Sequence, residues 1–273
     1  RLSGSNWISC ATCHNPGLAW GDGLPKGIGH GMQELGRRTP TVLNTAWASS
    51  LFWDGRAATL EEQALGPISA PGEMNMDMEG MLEKVKALEG YRELFAKAYP
   101  DEPLTEKAVA KAIAAYERTL VSGTAPFDRW VAGDDGAISA AAKRGFVIFN
   151  GKGNCAACHS SWRFTDDSFH DIGIPGDDIG RGQLVPLETM QHAFKTPTLR
   201  NVDQRAPYMH DGSEATLEDV IELYDLGGRV KRPSLSPEIA PLGLSAEEKS
   251  DLLVFLETLT SQDEPVMLVS LPR

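Results

Sequence analysis

The amino-acid sequence predicts a mainly α-helical fold made of two tandem domains. Its 273 residues correspond to two domains, because a typical domain has about 150 residues. Apolar residues recur at helical spacing in several segments, and no run shows the alternation of a convincing strand. One short motif, two cysteines followed directly by a histidine, occurs once in each half. The best boundary signal is Gly133-Asp-Asp-Gly136, so the predicted domains are residues 1–133 and 134–273.

The composition excludes several classes of protein. Apolar residues make up 41% of the chain, which is ordinary for a chain with a core and argues against intrinsic disorder. Asp and Glu exceed Lys and Arg by 38 to 26, giving a formal charge of −12 without a basic stripe. That balance argues against a nucleic-acid partner. No stretch approaches the ~18 uninterrupted apolar residues of a membrane helix.

The repeated motif carries the strongest chemical signal in the sequence. A pair of cysteines separated by two residues and followed by histidine is typical of covalent c-type haem attachment, with the histidine as proximal iron ligand. A thioredoxin-like redox pair has no need of the histidine, and a zinc site would take two pairs close together. The sequence therefore predicts two cytochrome c-like domains with one covalent haem each. The two motifs are Cys10-Ala-Thr-Cys13-His14 and Cys155-Ala-Ala-Cys158-His159.

The surroundings of the motifs fit this prediction. A helix over residues 139–149, capped by Ser139, precedes the second motif as the opening helix of a cytochrome c domain. Only nine residues precede the first motif, and the chain starts at Arg1, so we expect that a leader has been removed. Haem attachment of this kind occurs outside the cytoplasmic membrane, which predicts a periplasmic protein.

The remaining helices follow from apolar periodicity and capping signals. Residues 1–75 are rich in Gly, Pro and Trp and predict long loops around the first haem. Thr216 and a capping box formed by Ser245 and Glu248 mark the starts of the last two helices. The predicted helices are residues 81–98, residues 106–121 after a Thr105 cap, residues 216–224, and a segment ending with residues 252–259.

Six further segments, in the order of the chain, resemble the bacterial di-haem cytochrome c peroxidase and MauG family. Together with the two haem motifs they extend over most of the sequence. They are Gly29-His30-Gly31, Thr39-Pro-Thr-Val-Leu-Asn44, Phe52-Trp53-Asp54-Gly55-Arg56, Thr59-Leu-Glu-Glu-Gln63, Thr196-Pro-Thr-Leu-Arg-Asn201 and Ala206-Pro-Tyr-Met-His-Asp-Gly212.

The resemblance implies a reaction of the first haem with hydrogen peroxide. Gln63, Pro67 and Glu73 match the family's peroxide-pocket positions. A carboxyl group above the iron moves the proton needed to break the O–O bond, whereas an amide orients the peroxide. The resemblance thus implies Glu73 as acid/base, Gln63 as positioning group and Pro67 as a wall of the pocket. A solvated loop carboxylate is the alternative for Glu73.

The tryptophan of the third segment, Trp53, matches the family tryptophan that lies between the two haems. An indole there relays electrons by being transiently oxidised. Judged as an isolated residue, a large aromatic packed in the core against Arg56 or a haem edge is the more common case. The resemblance favours the relay.

Two positions bear on the axial iron ligands. In the peroxidases a histidine at the position of His30 caps the first haem at rest, although an isolated loop histidine is usually polar surface. Tyr224 stands where the peroxidases supply methionine to the second haem, and MauG has tyrosine there. A phenolate lowers the potential of the iron, whereas methionine raises it. The alternative is core packing of Tyr224, with Met209 or Met190 as the ligand.

The remaining charged and histidine positions have weaker assignments. Arg200 is predicted to neutralise a haem propionate, because a guanidinium suits carboxylates. The family commonly holds calcium between the domains, and its carbonyl ligands map to Arg205 and Pro207. The family's asparagine ligand maps to Arg38, a cation, so either another oxygen binds calcium or Arg38 replaces the ion. Three histidines are predicted to be hydrogen-bonded loop residues: His170, His192 and His210.

Three functions follow from these assignments. The leading hypothesis is a MauG-like di-haem oxidoreductase that uses hydrogen peroxide to oxidise a side chain, such as tryptophan, of a partner protein. The alternative is a di-haem cytochrome c peroxidase fed by a small electron-transfer protein, which the charge of −12 would help to attract when the carrier is basic. A pure electron-transfer cytochrome would leave Gln63 and Glu73 without a purpose.

Overall fold

Nine α-helices, seven short 3₁₀ helices and one pair of short strands make up the regular structure of the residues described here. A computed structural model of the chain describes residues 2–262, 266 and 270–272. The strands are β1 (Phe169–His170) and β2 (Phe194–Lys195), which pair antiparallel. The mainly helical prediction is confirmed, because the only other β pairing in the described ranges consists of isolated bridges. The helices are α1 (Cys10–Cys13), α2 (Leu60–Ser69), α3 (Met78–Ala87), α4 (Glu89–Ala98), α5 (Glu106–Glu117), α6 (Pro126–Val131), α7 (Ala140–Asn150), α8 (Leu217–Asp225) and α9 (Ala246–Glu257).

The first core is built from the helices α2 to α5. Thr59 and Thr105 begin α2 and α5, each accepting a hydrogen bond from a backbone N–H three residues later, which satisfies a donor that the helix leaves open. The helix predicted over residues 81–98 is two helices, because Leu88 adopts an extended conformation between α3 and α4. The buried side chains of this core are Ile8, Ile68, Met74, Met76, Met81, Val85 and Val109.

The second core centres on the crossing of α7 and α9. At Gly145 an added Cβ would lie 2.0 Å from the carbonyl oxygen of Asp251, so the two helix backbones touch. Arg144 also donates two hydrogen bonds of 2.6 Å to the Asp251 carboxylate. The capping box of Ser245 and Glu248 at the start of α9 is confirmed. The buried side chains around the crossing include Phe149, Phe164, Ile221, Leu252, Phe255 and Leu259.

Helix α6 packs with the second core, although it precedes the boundary predicted at residue 133. The backbone N–H of Phe127 donates to the carbonyl of Thr258 at 3.1 Å. The Phe127 ring contacts Phe146 and Phe255, with ring centroids 5.6 and 5.7 Å away. These contacts cross the boundary predicted at residue 133, and that boundary stays a prediction.

A junction of hydrogen bonds joins the two cores. The guanidinium of Arg37 donates to Asp54 and to Asp178, each at 2.6 Å. The backbone N–H of Lys195 in β2 donates to the carbonyl of Trp53 at 2.8 Å. These hydrogen bonds therefore connect the two cores directly. None of the helices in the described ranges has the length and apolar character needed to cross a membrane.

Candidate functional site

A large, mainly apolar cavity runs along the junction between the two cores. Its empty space, with its openings to solvent, is about 2260 Å³. Both motif histidines, His14 and His159, line it together with Trp53. The cavity therefore joins the two predicted haem sites.

The first motif presents a histidine that is fixed through one ring nitrogen. The two cysteines lie on α1, and His14 follows the helix directly. His14 Nδ1 lies 3.2 Å from the carbonyl oxygen of Trp20, which leaves Nε2 for a metal. Burial lowers the pKa of His14, so the ring is held in the neutral form that binds iron.

The second motif repeats this arrangement. A short turn, Cys155–Ala157, precedes the motif histidine. His159 Nδ1 lies 2.9 Å from the carbonyl oxygen of Phe164, and burial lowers the pKa of His159. Each half therefore presents one neutral imidazole whose Nδ1 is held by a backbone carbonyl, which suits binding of iron through Nε2.

The cysteines have the properties of unreactive thiols. Burial raises the pKa of Cys13 and of Cys158 to about 11 and that of Cys155 to about 12. A redox-active pair has a lowered thiol pKa, so the thioredoxin-like alternative is disfavoured. The one cluster of metal-binding residue types found in the described ranges joins Cys158 to Asp166 and His170. This cluster therefore overlaps the second motif.

Tyr224 and Met209 both line the cavity, whereas Met190 does not. Tyr224 lies on α8, and the neighbouring thiols of Cys155 and Cys158 add to the burial that raises its pKa. Within the described part of the chain the Tyr224 hydroxyl has no hydrogen-bond partner, unlike Tyr208, whose hydroxyl donates to a backbone carbonyl. The Tyr224 oxygen is thus available at the second motif.

The predicted peroxide-pocket residues lie on α2 and on the loop that follows it. Gln63 lines the cavity from α2. Pro67 lies inside the same helix, and its carbonyl accepts a hydrogen bond of 3.1 Å from the N–H of Met74. This bond fixes the loop that carries Glu73. Glu73 is half-buried outside the cavity lining, and burial raises the pKa of its carboxyl group, opposed by Arg56.

His30 lies against the Glu73 loop rather than on the cavity wall. Its backbone N–H donates to the carbonyls of Gly72 and Glu73 at 3.0 and 2.8 Å. An added Cβ at Gly29 would lie 1.9 Å from the Gly72 carbonyl oxygen, so only glycine permits this contact. The Nδ1 atom of His30 is buried without a partner in the described residues. Ligation by His30 stays a prediction.

Trp53 is anchored to both halves of the molecule. Its indole N–H donates to the carbonyl of Arg38 at 2.8 Å. Its own carbonyl accepts from Lys195, and its ring lies edge-on to His210 with centroids 6.5 Å apart. The side chain lines the cavity shared by the two motif histidines.

The arginines that line the cavity are not the one that the sequence predicted, Arg200. Arg200 is buried away from the cavity and binds both oxygens of Asp128 at 2.7 and 2.8 Å. Arg38 and Arg205 line the cavity and are buried without a carboxylate partner in the described ranges. A buried charge needs a counter-ion, and haem propionates would supply it, so the residues present fit haem. Sequence analysis missed two further cations of the lining that no motif marks: Arg163 and Lys195.

The remaining histidines are held by the protein. His170 Nε2 lies 2.9 Å from a carboxylate oxygen of Asp166, and His192 Nδ1 lies 3.0 Å from the Asp178 carbonyl oxygen. The predicted hydrogen bonding is confirmed for these two, although His170 lies in β1 and not in a loop. His210 instead stacks on Phe194 with ring centroids 3.6 Å apart, and burial lowers its pKa to about 4.

Two cysteine–histidine motifs that share one cavity between two helical cores define a di-haem, cytochrome c-like architecture. A family model described as di-haem cytochrome c peroxidase matches residues 1–136. The chain is 54% identical over 276 residues to "Methylamine utilization protein MauG" of Methylorubrum extorquens, covering 100% of this chain and 78% of that protein. It is 36% identical over 278 residues to "Cytochrome c551 peroxidase" of Nitrosomonas europaea, covering 100% of this chain and 80% of that protein.

The structural comparison agrees. A crystal structure of a MauG-like protein associated with microbial copper homeostasis matches with a TM-score of 0.88 at 31% identity, covering 96% of this chain and 86% of that one. The chain therefore belongs to the di-haem cytochrome c peroxidase and MauG family, as the sequence motifs predicted. It is a haem-dependent oxidoreductase of the MauG type, with greater identity to MauG than to the peroxidase.

Proposed function

We propose that this chain uses hydrogen peroxide to oxidise a side chain, preferentially tryptophan, of a partner protein by long-range electron transfer. Peroxide takes up two electrons and two protons to give two waters, and the partner side chain supplies the two electrons. The identity of 54% to a MauG protein supports this function over peroxide removal with electrons from a carrier. The alternative remains a cytochrome c peroxidase.

Tyr224 carries the proposal. Its hydroxyl lies on the cavity beside the second motif and has no partner in the described residues. A tyrosine ligand donates electron density to iron, whereas a methionine ligand raises the potential and suits uptake of electrons from a carrier. Tyr224 as ligand therefore suits the oxidation of a partner better than the peroxidase cycle.

The chain would hold each haem through three residues of a motif. The cysteine thiols would form thioethers with the vinyl groups, and Nε2 of His14 and of His159 would bind the irons. Bound haem supplies the iron that reduces peroxide and retains its oxidising equivalents. Covalent attachment implies assembly outside the cytoplasmic membrane, so we place the protein in the periplasm.

Glu73 would hold and transfer the proton that peroxide cleavage requires. Burial raises the pKa of its carboxyl group, which favours the protonated, proton-donating form. Gln63 would orient the peroxide from α2. Pro67 would hold the loop of Glu73 through its carbonyl group.

Trp53 would pass electrons between the two halves. Its indole lies on the shared cavity and its backbone is fixed from both sides of the junction. Because electrons reach the first site through the protein, the partner protein would dock on the outer surface and would not enter the peroxide pocket.

The test is to add peroxide to the fully ferric holoprotein with no prior reduction. We expect an immediate change in the absorption spectrum of both haems and subsequent oxidation of tryptophan in an added partner, detected by mass spectrometry. A reaction that requires prior reduction of one haem would instead establish the peroxidase alternative.

The Tyr224→Met variant serves as the matched comparison. We expect it to retain both haems, because the motifs are untouched, and to require reduction before it reacts with peroxide. If this variant reacted in the ferric state as the unmodified protein does, Tyr224 would not be the group that sets the chemistry.

A further inference from the structure

The predicted calcium position at the domain junction is occupied by a side chain of this protein. The resemblance to the family implies calcium bound by the carbonyl oxygens of Arg205 and Pro207. The Nη2 atom of Arg38 donates a hydrogen bond to the Arg205 carbonyl oxygen at 2.5 Å. Arg38 and Arg205 come from opposite halves of the chain, so the guanidinium bridges the junction.

A calcium ion and this guanidinium exclude each other. Calcium binds oxygen ligands at about 2.3–2.6 Å, and the Arg38 nitrogen lies at that distance from the same carbonyl oxygen. The ion would also lie next to a permanent positive charge, which arginine does not lose. The donor set therefore does not fit calcium.

The charges around Arg38 also disfavour calcium at this position. Arg38 and Arg205 are 6% and 7% exposed, and neither has a carboxylate partner in the described ranges. Asp22 acts on Arg38 only at longer range, since its carboxylate accepts a hydrogen bond from Thr39. The position already holds more positive than negative charge.

Arg38 also makes contacts across the junction, as a bridging ion would. Its backbone N–H donates to the carbonyl of His210 at 2.7 Å, and its carbonyl accepts the indole N–H of Trp53 at 2.8 Å. Its Nη1 donates to the Thr39 carbonyl, and its buried Nε has no partner. Arg38 thus connects the second half of the molecule to the Trp53 indole. Its guanidinium still has one hydrogen-bond donor, Nε, without a partner in the described residues.

We propose that Arg38 is a built-in cation that replaces calcium at the domain junction, so that this chain binds no calcium there and does not require it. The guanidinium holds the Arg205 carbonyl, keeps Trp53 in place and offers Nε to an anionic group in the cavity. The inference concerns a metal requirement and is independent of which electron donor the enzyme uses.

The test measures calcium in the holoprotein and the response to its removal. After treatment with EGTA and desalting, we expect elemental analysis to find far less than one calcium per chain. Haem absorption and electron paramagnetic resonance spectra, and the thermal unfolding midpoint, should be the same before treatment, after it and with millimolar calcium chloride. One tightly bound calcium per chain, or spectra that change with EGTA and recover with calcium, would overturn the proposal.

Two variants test the role of the guanidinium itself. Arg38→Asn removes the cation and supplies an amide oxygen, so we expect a lower unfolding midpoint that calcium chloride raises. Arg38→Lys keeps a cation and should remain insensitive to calcium. An Arg38→Asn protein as stable as the unmodified one and indifferent to calcium would contradict the proposal. If Arg38→Asn does not accumulate as folded protein, the calcium content of the unmodified protein decides alone.

Discussion

Trp53 has a structural role in the junction, and the proposed function adds an electronic one. Its indole N–H satisfies the carbonyl of Arg38, and its ring lies on the cavity that both motif histidines share. A phenylalanine variant would retain most of the structural role and lose the electronic one. That ring preserves most of the packing but lacks the N–H donor and is much harder to oxidise.

We expect Trp53→Phe to keep the spectral response of the ferric protein to peroxide while abolishing oxidation of an external partner. Loss of one hydrogen bond should lower the free energy of unfolding by only about 1 kcal/mol. Stopped-flow absorbance and product analysis measure the two activities. The matched control is Trp7→Phe, since Trp7 is 56% exposed. Unchanged turnover of the partner in Trp53→Phe would remove Trp53 from the electron route.

Glu117 is a buried carboxylate on the cavity wall that sequence analysis did not single out. Its Oε2 atom has no partner in the described residues, and burial raises its pKa from the usual 4.5 to about 7, opposed by Arg118. The folded protein therefore holds this proton more tightly than the unfolded chain does. Stability from this group is full below about pH 4.5 and is lost as the pH rises through about 7.

We expect Glu117→Gln to be more stable than the unmodified protein above pH 7, by up to about 3 kcal/mol. The amide does not ionise, so the loss of stability between about pH 4.5 and 7 should disappear. Chemical unfolding of the holoprotein across this range measures the difference. Glu34→Gln, at an exposed carboxylate, should leave the profile unchanged. A Glu117→Gln profile that parallels the unmodified one would show that Glu117 ionises normally.

At the scale of elements, the helix starts could be predicted and some helix ends could not. Capping is local, and Ser139, Thr216 and Ser245 each cap the helix that the sequence predicts. Helix α2 was not predicted, because Gly66 and Pro67 are helix-breaking residues that this helix tolerates in its second half. The break at Leu88 has no local signal, since leucine favours helices.

The crossing of α7 and α9 depends on the missing side chain of Gly145. We expect Gly145→Ala to lower the free energy of unfolding by ~1–3 kcal/mol, because the new methyl group meets the Asp251 backbone and forces the helices apart. Denaturant unfolding of the holoprotein measures the loss. Gly36→Ala is the control, since nothing lies within 4 Å of its added Cβ. Equal stability of Gly145→Ala and Gly36→Ala would show that the crossing has room.

For the whole molecule, the sequence predicts the motifs and the helices more clearly than the contacts that join the two cores. The cysteine–histidine motifs and the amphipathic helices are local patterns, and they predict the helical cores and the two histidines that line the cavity. The junction depends on pairs far apart in the chain: Arg37 and Asp178 are separated by 141 positions, and Arg38 and Arg205 by 167. No local pattern marks such pairs, so the pairing of Arg200 with Asp128 and the packing of α6 emerge only from the structure.

Arg37 provides the most direct test of how the two halves hold together. Its guanidinium bridges Asp54 of the first half and Asp178 of the second, and the side chains of Arg37 and Asp54 are largely buried. Removing one partner of a buried ion pair leaves an uncompensated charge. Arg56 still contacts Asp54 at 3.0 Å, so the penalty should lie at the low end of the usual range.

We expect Arg37→Gln to lower the free energy of unfolding by about 3 kcal/mol. The halves should then unfold separately, so that haem absorbance and far-ultraviolet circular dichroism no longer give coincident transitions. Arg118→Gln is the matched control, because Arg118 pairs with Glu61 at the surface within one half and should contribute at most about 1 kcal/mol. If both variants unfolded alike with coincident transitions, the Arg37 bridge would not couple the two halves. The coupling would then come from the apolar wall of the cavity and the haems bound there.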